Sequence, residues 1–224
     1  MAKIFNYIAG TLVGLGIGLG SYAACENNAD KTLVHVKQVH RSDLYAHGFE
    51  DDDHSDVIKS QNAILRYFRE HEGKEHVFVE GNFSYKQRLA RLEAQVAHYQ
   101  GLVDEGLDQY RQQLDDTRAV LDDYLMQLET GEITCPKVFA TEVLEYNDEI
   151  YVHRAETDEQ NRRRCDEVRN SNGVLGIENE RAEDYVVDLV EALDEPVSYV
   201  VFGAMHSFKD NTQDRDISLK EVFP

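Results

Sequence analysis

The sequence predicts an α/β fold, a mostly parallel central sheet flanked by helices and carrying a long, heptad-patterned helical insertion. Three observations predict it. Short runs rich in Val, Ile, Phe and Tyr alternate with stretches whose apolar residues recur every three or four positions, as strands alternating with helices do. One stretch, 84–130, keeps the helical period without any strand in it. The 224 residues are 42% hydrophobic and 29% charged, a composition that supports one globular domain rather than a disordered chain.

The first element is a targeting segment. Residues 4–24 follow a single Lys3, contain no charge and end in small side chains, the n-region, apolar h-region and cleavage-site pattern of a secretory signal. Its glycines, Gly10, Gly14, Gly16, Gly18 and Gly20, are not a phosphate loop, because no strand precedes them. Retained in a bilayer, the same run is just long enough to span it and offers a GxxxG face. Cys25 stands where a bacterial lipoprotein carries its lipidated cysteine, although Tyr22 replaces the usual Leu three positions earlier. Residues 1–25 are therefore expected to be a signal peptide or a membrane or lipoprotein anchor. The expected location is extracytoplasmic, secreted or membrane-anchored, with the folded domain at 31–224.

Strands are expected at 32–39, 76–80, 150–153 and 198–202, with a closing edge strand at 217–222. Between them, 55–71 carries Val57, Ile58, Ile64, Leu65 and Phe68, and 182–193 carries Tyr185, Val186, Leu189 and Val190, both at helical spacing. In 84–130 a heptad seam runs from Leu89 and Leu92 through Tyr99, Leu107 and Leu114 to Tyr124 and Leu128. One unbroken helix of that length would extend roughly 65–70 Å, so it must project, bend or fold back. Gly101 and Gly106 are the break points expected from helix propensity. The seam serves either an insertion packed on its own domain or a coiled-coil homodimer. Cys135 and Cys165 either pair, as export favours, or remain buried thiols.

A net charge of −20 with no basic stripe excludes nucleic acid as a partner. In parallel α/β sheets ligands bind beyond the carboxyl ends of the strands. The successive strand ends deliver His40, Glu80, Glu156 and His206. Two imidazoles and two carboxylates suit a divalent metal ion and, without one, acid–base work. Any one of them alone is more simply a hydrogen-bonded structural group; their recurrence at every strand end carries the reading. His54, at the start of the following helix, ranks behind them.

These residues resemble the broad GxxH-type group that includes Tiki-type proteases, TraB/GumN proteins, ChaN-type haem-binding lipoproteins and erythromycin esterases. Gly203-Ala204-Met205-His206 looks like the later GxxH motif, Glu80-Gly81 and Ala155-Glu156 look like the intervening acids, and Arg181 looks like the arginine before the last motif. The earlier motif departs, with Lys37 for glycine and Gln38 for a frequent glutamate, leaving His40. The likeness covers most of 33–223, interrupted by the heptad segment, as in a divergent member.

The resemblance implies a metal-dependent hydrolase of amide or ester bonds outside the cytoplasm, acting on a peptide, ester or small-molecule ligand. His40 and His206 would hold a divalent metal, Glu80 or Glu156 would complete the shell or accept a proton, and Arg181 would steady an oxyanion. The alternative implied by ChaN-type relatives is a non-catalytic lipoprotein that binds haem or another cofactor in the same cleft.

Overall fold

A computed structural model of the protein describes residues 30–39, 55–71, 73–80, 84–170, 177–203 and 206–224. The segment expected to be a targeting sequence, with Cys25, and the expected site residues His40 and His54 lie outside the described residues. Among the described residues no helix is long and apolar enough to cross a membrane.

The elements follow as β1 (Lys31–Gln38), α1 (Ser55–Arg69), β2 (His76–Val79), α2 (Tyr85–Asp104), a 3-10 turn (Asp108–Tyr110), α3 (Arg111–Thr130), α4 (Ala140–Tyr146), β3 (Tyr151–Arg154), α5 (Asp158–Asn170), α6 (Ile177–Ala192), β4 (Val197–Gly203), α7 (Lys209–Thr212) and β5 (Ile217–Val222). All five expected strands form, and β5 lies at an edge as expected. The sheet order is β3-β2-β4-β1-β5, and every pairing is parallel. The central β4 is buried along nearly its whole length, which its run of Val, Tyr and Phe permits because both faces are covered.

The connections β1 to β2 to β3 step one way across the sheet, and β3 to β4 to β5 step back. Right-handed crossovers then put the first set of helices on one face and the second set on the other. The two apolar cores match. On one face Ile64, Leu65 and Phe68 of α1, with Tyr124, Leu128, Val143 and Leu144, pack on Val34, Val36, Val77 and Val201. On the other, Val186, Val187 and Val190 of α6 cover Leu33, Phe78, Val200 and Phe202. Lys31 of β1 donates to the Val190 and Glu191 carbonyls at 3.1 and 2.6 Å, satisfying acceptors that the end of α6 leaves open. Arg215 pairs with Asp188 and Glu191, so α6 is tied to the sheet at its carboxyl half.

Residues 84–130, expected as a long heptad-patterned insertion, form two helices that fold back on each other. Helices α2 and α3 run antiparallel, with the Arg88 guanidinium over the Tyr124 ring, Arg118 donating to Gln100, and the Tyr99 and Tyr110 rings 6.3 Å apart near the tip. Gly106, at φ +86°, takes the left-handed conformation that reverses the chain. Gly101 does not break anything; it sits inside α2 with nothing within 4 Å of where a Cβ would stand. The hairpin closes part of its apolar seam within the chain, and its base joins the core through Leu89, Leu92, Tyr124 and Leu128.

The base of the hairpin is pinned by buried polar groups. Gln127 accepts from the Thr134 and Cys135 amides, which shapes the loop after α3. Arg88 donates to Glu142 at 2.6 Å, and Glu142 in turn accepts from the Phe139 amide at the start of α4. Cys135 at this loop forms no disulfide among the described residues; the side chain of Cys165 lies outside them.

Candidate functional site

Strand β4 lies between β2 and β1, and its chain leaves toward the α6 face while that of β2 leaves toward the α1 face. Such a reversal opens a crevice at the carboxyl edge. Glu80 directly follows β2, and its amide continues the ladder by donating to the Val201 carbonyl at 3.4 Å. Its carboxylate accepts from the Gly203 amide at 3.2 Å through Oε2. His206 returns to the strand end by donating its own amide to the Gly203 carbonyl at 3.0 Å. The imidazole then stands edge-on to Phe202, 4.8 Å between centroids. Neighbouring strands thus bring Glu80 and His206 together.

A third group completes the cluster from α6. Glu183 Oε1 lies 2.9 Å from His206 Nδ1, and the Ser207 amide also donates to it at 3.4 Å. On the far side of the ring, Nε2 faces Glu80 Oε1 at 3.5 Å. The imidazole is 4% exposed. Burial resists its charge, but the hydrogen bonds and fields of Glu183 and Glu80 outweigh burial and raise its pKa from 6.5 to about 9.

The two contacts on His206 differ in kind. The Nδ1 contact is a charge-assisted hydrogen bond of ordinary length, which orients the ring. The Nε2 contact is longer than such a bond, and it approaches the roughly 3.3–3.4 Å that separates two ligand atoms on a tetrahedral ion bound at about 2.0–2.1 Å. Nε2 of His206 and Oε1 of Glu80 are the two atoms at that spacing. Among the described residues, no group of three or more His, Cys, Asp or Glu forms a complete metal site.

The other expected site residues are placed as follows. Glu156 lies two residues past β3, and the intervening Ala155 donates its amide to the Val79 carbonyl, so the backbone of Glu156 lies one strand outward from Glu80 on the same edge; its side chain is buried. Arg181 is exposed on α6. Gln38, standing where the resemblance expects an acid, is buried and structurally committed. It donates to the Val201 carbonyl and accepts from Gln61, whose own oxygen accepts from the Ala140 amide that starts α4.

Glu183 escaped the sequence reading, and His35 was set aside there because it does not stand at a strand end. Glu183 sits at the head of the buried stripe Glu183, Val186, Val187 and Val190 of α6. A carboxylate at an apolar position of an amphipathic helix was the available signal. His35 is fully buried in β1, edge-on to Phe208 and 3.8 Å from Glu221, with no hydrogen bond to its ring nitrogens among the described residues. Burial, with Lys37 nearby, lowers its pKa to about 4, so it is neutral at pH 7.

No family model, curated protein or solved structure matches the chain.

Proposed function

We propose that the protein is a metal-dependent hydrolase of amide or ester bonds, with its centre at the His206, Glu80 and Glu183 cluster. The observation that supports this reading is the geometry of His206: Nδ1 held by Glu183 at 2.9 Å, and Nε2 facing the Glu80 carboxylate across 3.5 Å. The resemblance to GxxH-type hydrolases, carried by His206 with Gly203, agrees with it. His206 and Glu80 would hold the ion, which would supply Lewis acidity and lower the pKa of a bound water toward neutrality.

The chain's own groups do the rest. Glu183 fixes the ring orientation and holds the proton on Nδ1, so a metal bound at Nε2 would displace the second ring proton. Glu80 offers one oxygen beside Nε2 while the Gly203 amide holds the other. His40 is the remaining expected ligand, and Glu156 is the carboxylate at the same edge for proton transfer. Arg181, exposed on the helix that carries Glu183, is the cation for an oxyanion or substrate carboxylate. The charge-free run 4–24, read as a targeting sequence, supports an activity outside the cytoplasm.

The test is elemental analysis of the purified full-length chain, followed by re-binding after chelation. A stoichiometric transition ion that His206→Ala and Glu80→Ala both lose is the expected result, with hydrolysis of a peptide or ester panel lost in parallel. Metal content untouched by either substitution overturns the reading. A Soret band that appears on adding haem and vanishes in His206→Ala would instead favour the cofactor-binding alternative.

A further inference from the structure

Between α2, α3 and the loop after α3 lies a groove of about 500 Å³, on the opposite face of the sheet from Glu183 and sharing no residue with the cluster around His206. Its volume is that of a small-molecule site. Leu92, Val120 and Val138 supply apolar walls, and Val120 is left 51% exposed without any packing reason. Tyr124 forms part of the floor beneath the Arg88 guanidinium, 5.4 Å from its ring.

The charges of the lining are unbalanced in a specific way. Arg88 is matched by Glu142 at 2.6 Å. Arg91 and Lys137 line the same groove and make no hydrogen bond or ion pair among the described residues. The remaining charge is Asp123, which already accepts from Gln127 at 2.7 Å. Two unmatched cations against one acid leave a single positive charge over an apolar trough, on a chain whose net charge is −20. One monoanion would balance it.

We propose that this groove binds a free fatty carboxylate, its tail along Leu92, Val120 and Val138 and its headgroup between Arg91 and Lys137. The apolar walls reward the tail in proportion to the area covered, and the two cations select a carboxylate over a neutral or cationic head. A divalent headgroup would overshoot the local charge, and a cationic amphiphile would meet Arg91 and Lys137 directly.

Equilibrium dialysis of the full-length chain, freed of metal by chelation, against dodecanoate, dodecanol and dodecyltrimethylammonium tests this. Dodecanoate is expected to bind with one equivalent, and the other two at least about tenfold more weakly. The exposed pair Arg91→Ala with Lys137→Ala should weaken dodecanoate by a similar factor without changing the dodecanol value, and circular dichroism should show the fold retained. His206→Ala should bind dodecanoate as the parent does, which separates this site from the proposed metal centre. Because Cys135 also lines the groove, bound dodecanoate should slow its alkylation by iodoacetamide, read by peptide mass mapping. Equal binding of all three amphiphiles, no effect of the double substitution, or loss in His206→Ala alone would each overturn the assignment.

Discussion

The carboxylate of Glu183 holds Nδ1 of His206 at 2.9 Å from a helix on one face of the sheet, although the imidazole itself hangs from the end of a central strand. Helix and strand meet there because α6 is anchored to the sheet through Lys31 and Arg215. The orientation of a buried imidazole is thus set by a residue that is 23 positions away in sequence.

Glu183→Gln should leave the fold intact and move His206. In metal-free protein its pKa, about 9 in the parent, should drop by more than one unit, because Gln keeps the contact and removes the charge. An NMR titration of the imidazole reads this directly; an unchanged midpoint would mean Glu183 does not govern the ring. With metal present, the same substitution should weaken binding by about 10–100-fold.

The raised pKa of His206 also makes stability pH-dependent. The folded value lies above the unfolded one, so the contribution is full below about pH 6.5 and is lost as pH rises through about 9. The magnitude is ~3 kcal/mol at most. Urea denaturation of chelator-treated protein should show this decline between pH 7 and 9, and His206→Gln should flatten it.

His35 acts with the opposite sign. Its folded pKa is about 4 against 6.5 unfolded, so in that window the unfolded chain binds the extra proton and stability falls as pH drops. A loss of ~3 kcal/mol is expected by pH 4. His35→Leu should remove that acid-side slope while keeping the volume of the core near Phe208. A parent-like slope in the variant would assign acid lability elsewhere.

Arg88→Ala should destabilise the protein by about 2–3 kcal/mol, because it strands the buried Glu142 carboxyl without its partner. Burial already pushes the Glu142 pKa up against the pull of Arg88, so removing Arg88 should raise it further. Adding Glu142→Gln to Arg88→Ala should recover much of the loss. Denaturation midpoints across this double-mutant cycle provide the measurement, and strict additivity would deny the coupling.

Gly131→Ala should cost about 1–2 kcal/mol, since Gly131 ends α3 at φ +68°. An added Cβ would also lie 2.6 Å from the Arg69 guanidinium, which is paired with Glu149 at 2.9 Å. A shift in thermal midpoint of several degrees is the expected reading.

Local pattern was enough to order the strands and helices, and to name Glu80 and His206 as strand-end residues on one edge. Side-chain periodicity is set by each element's own geometry, and a parallel sheet sends every carboxyl end the same way. The fold-back of the heptad segment was among the options, but whether Gly101 or Gly106 made the turn was not. Both glycines carry the same helix penalty, and only packing selects the one that takes positive φ.

Sequence by itself determined which residues reach the edge of the sheet; tertiary structure alone decided which of them touch. Placing β4 between β2 and β1 is what makes Glu80 a neighbour of His206, and nothing in the three segments states that order. Strand pairing is a contest among distant backbones whose local signals are alike. Glu183 enters by the same route, through a helix docked on the far face, so its role emerges only when the core closes over it.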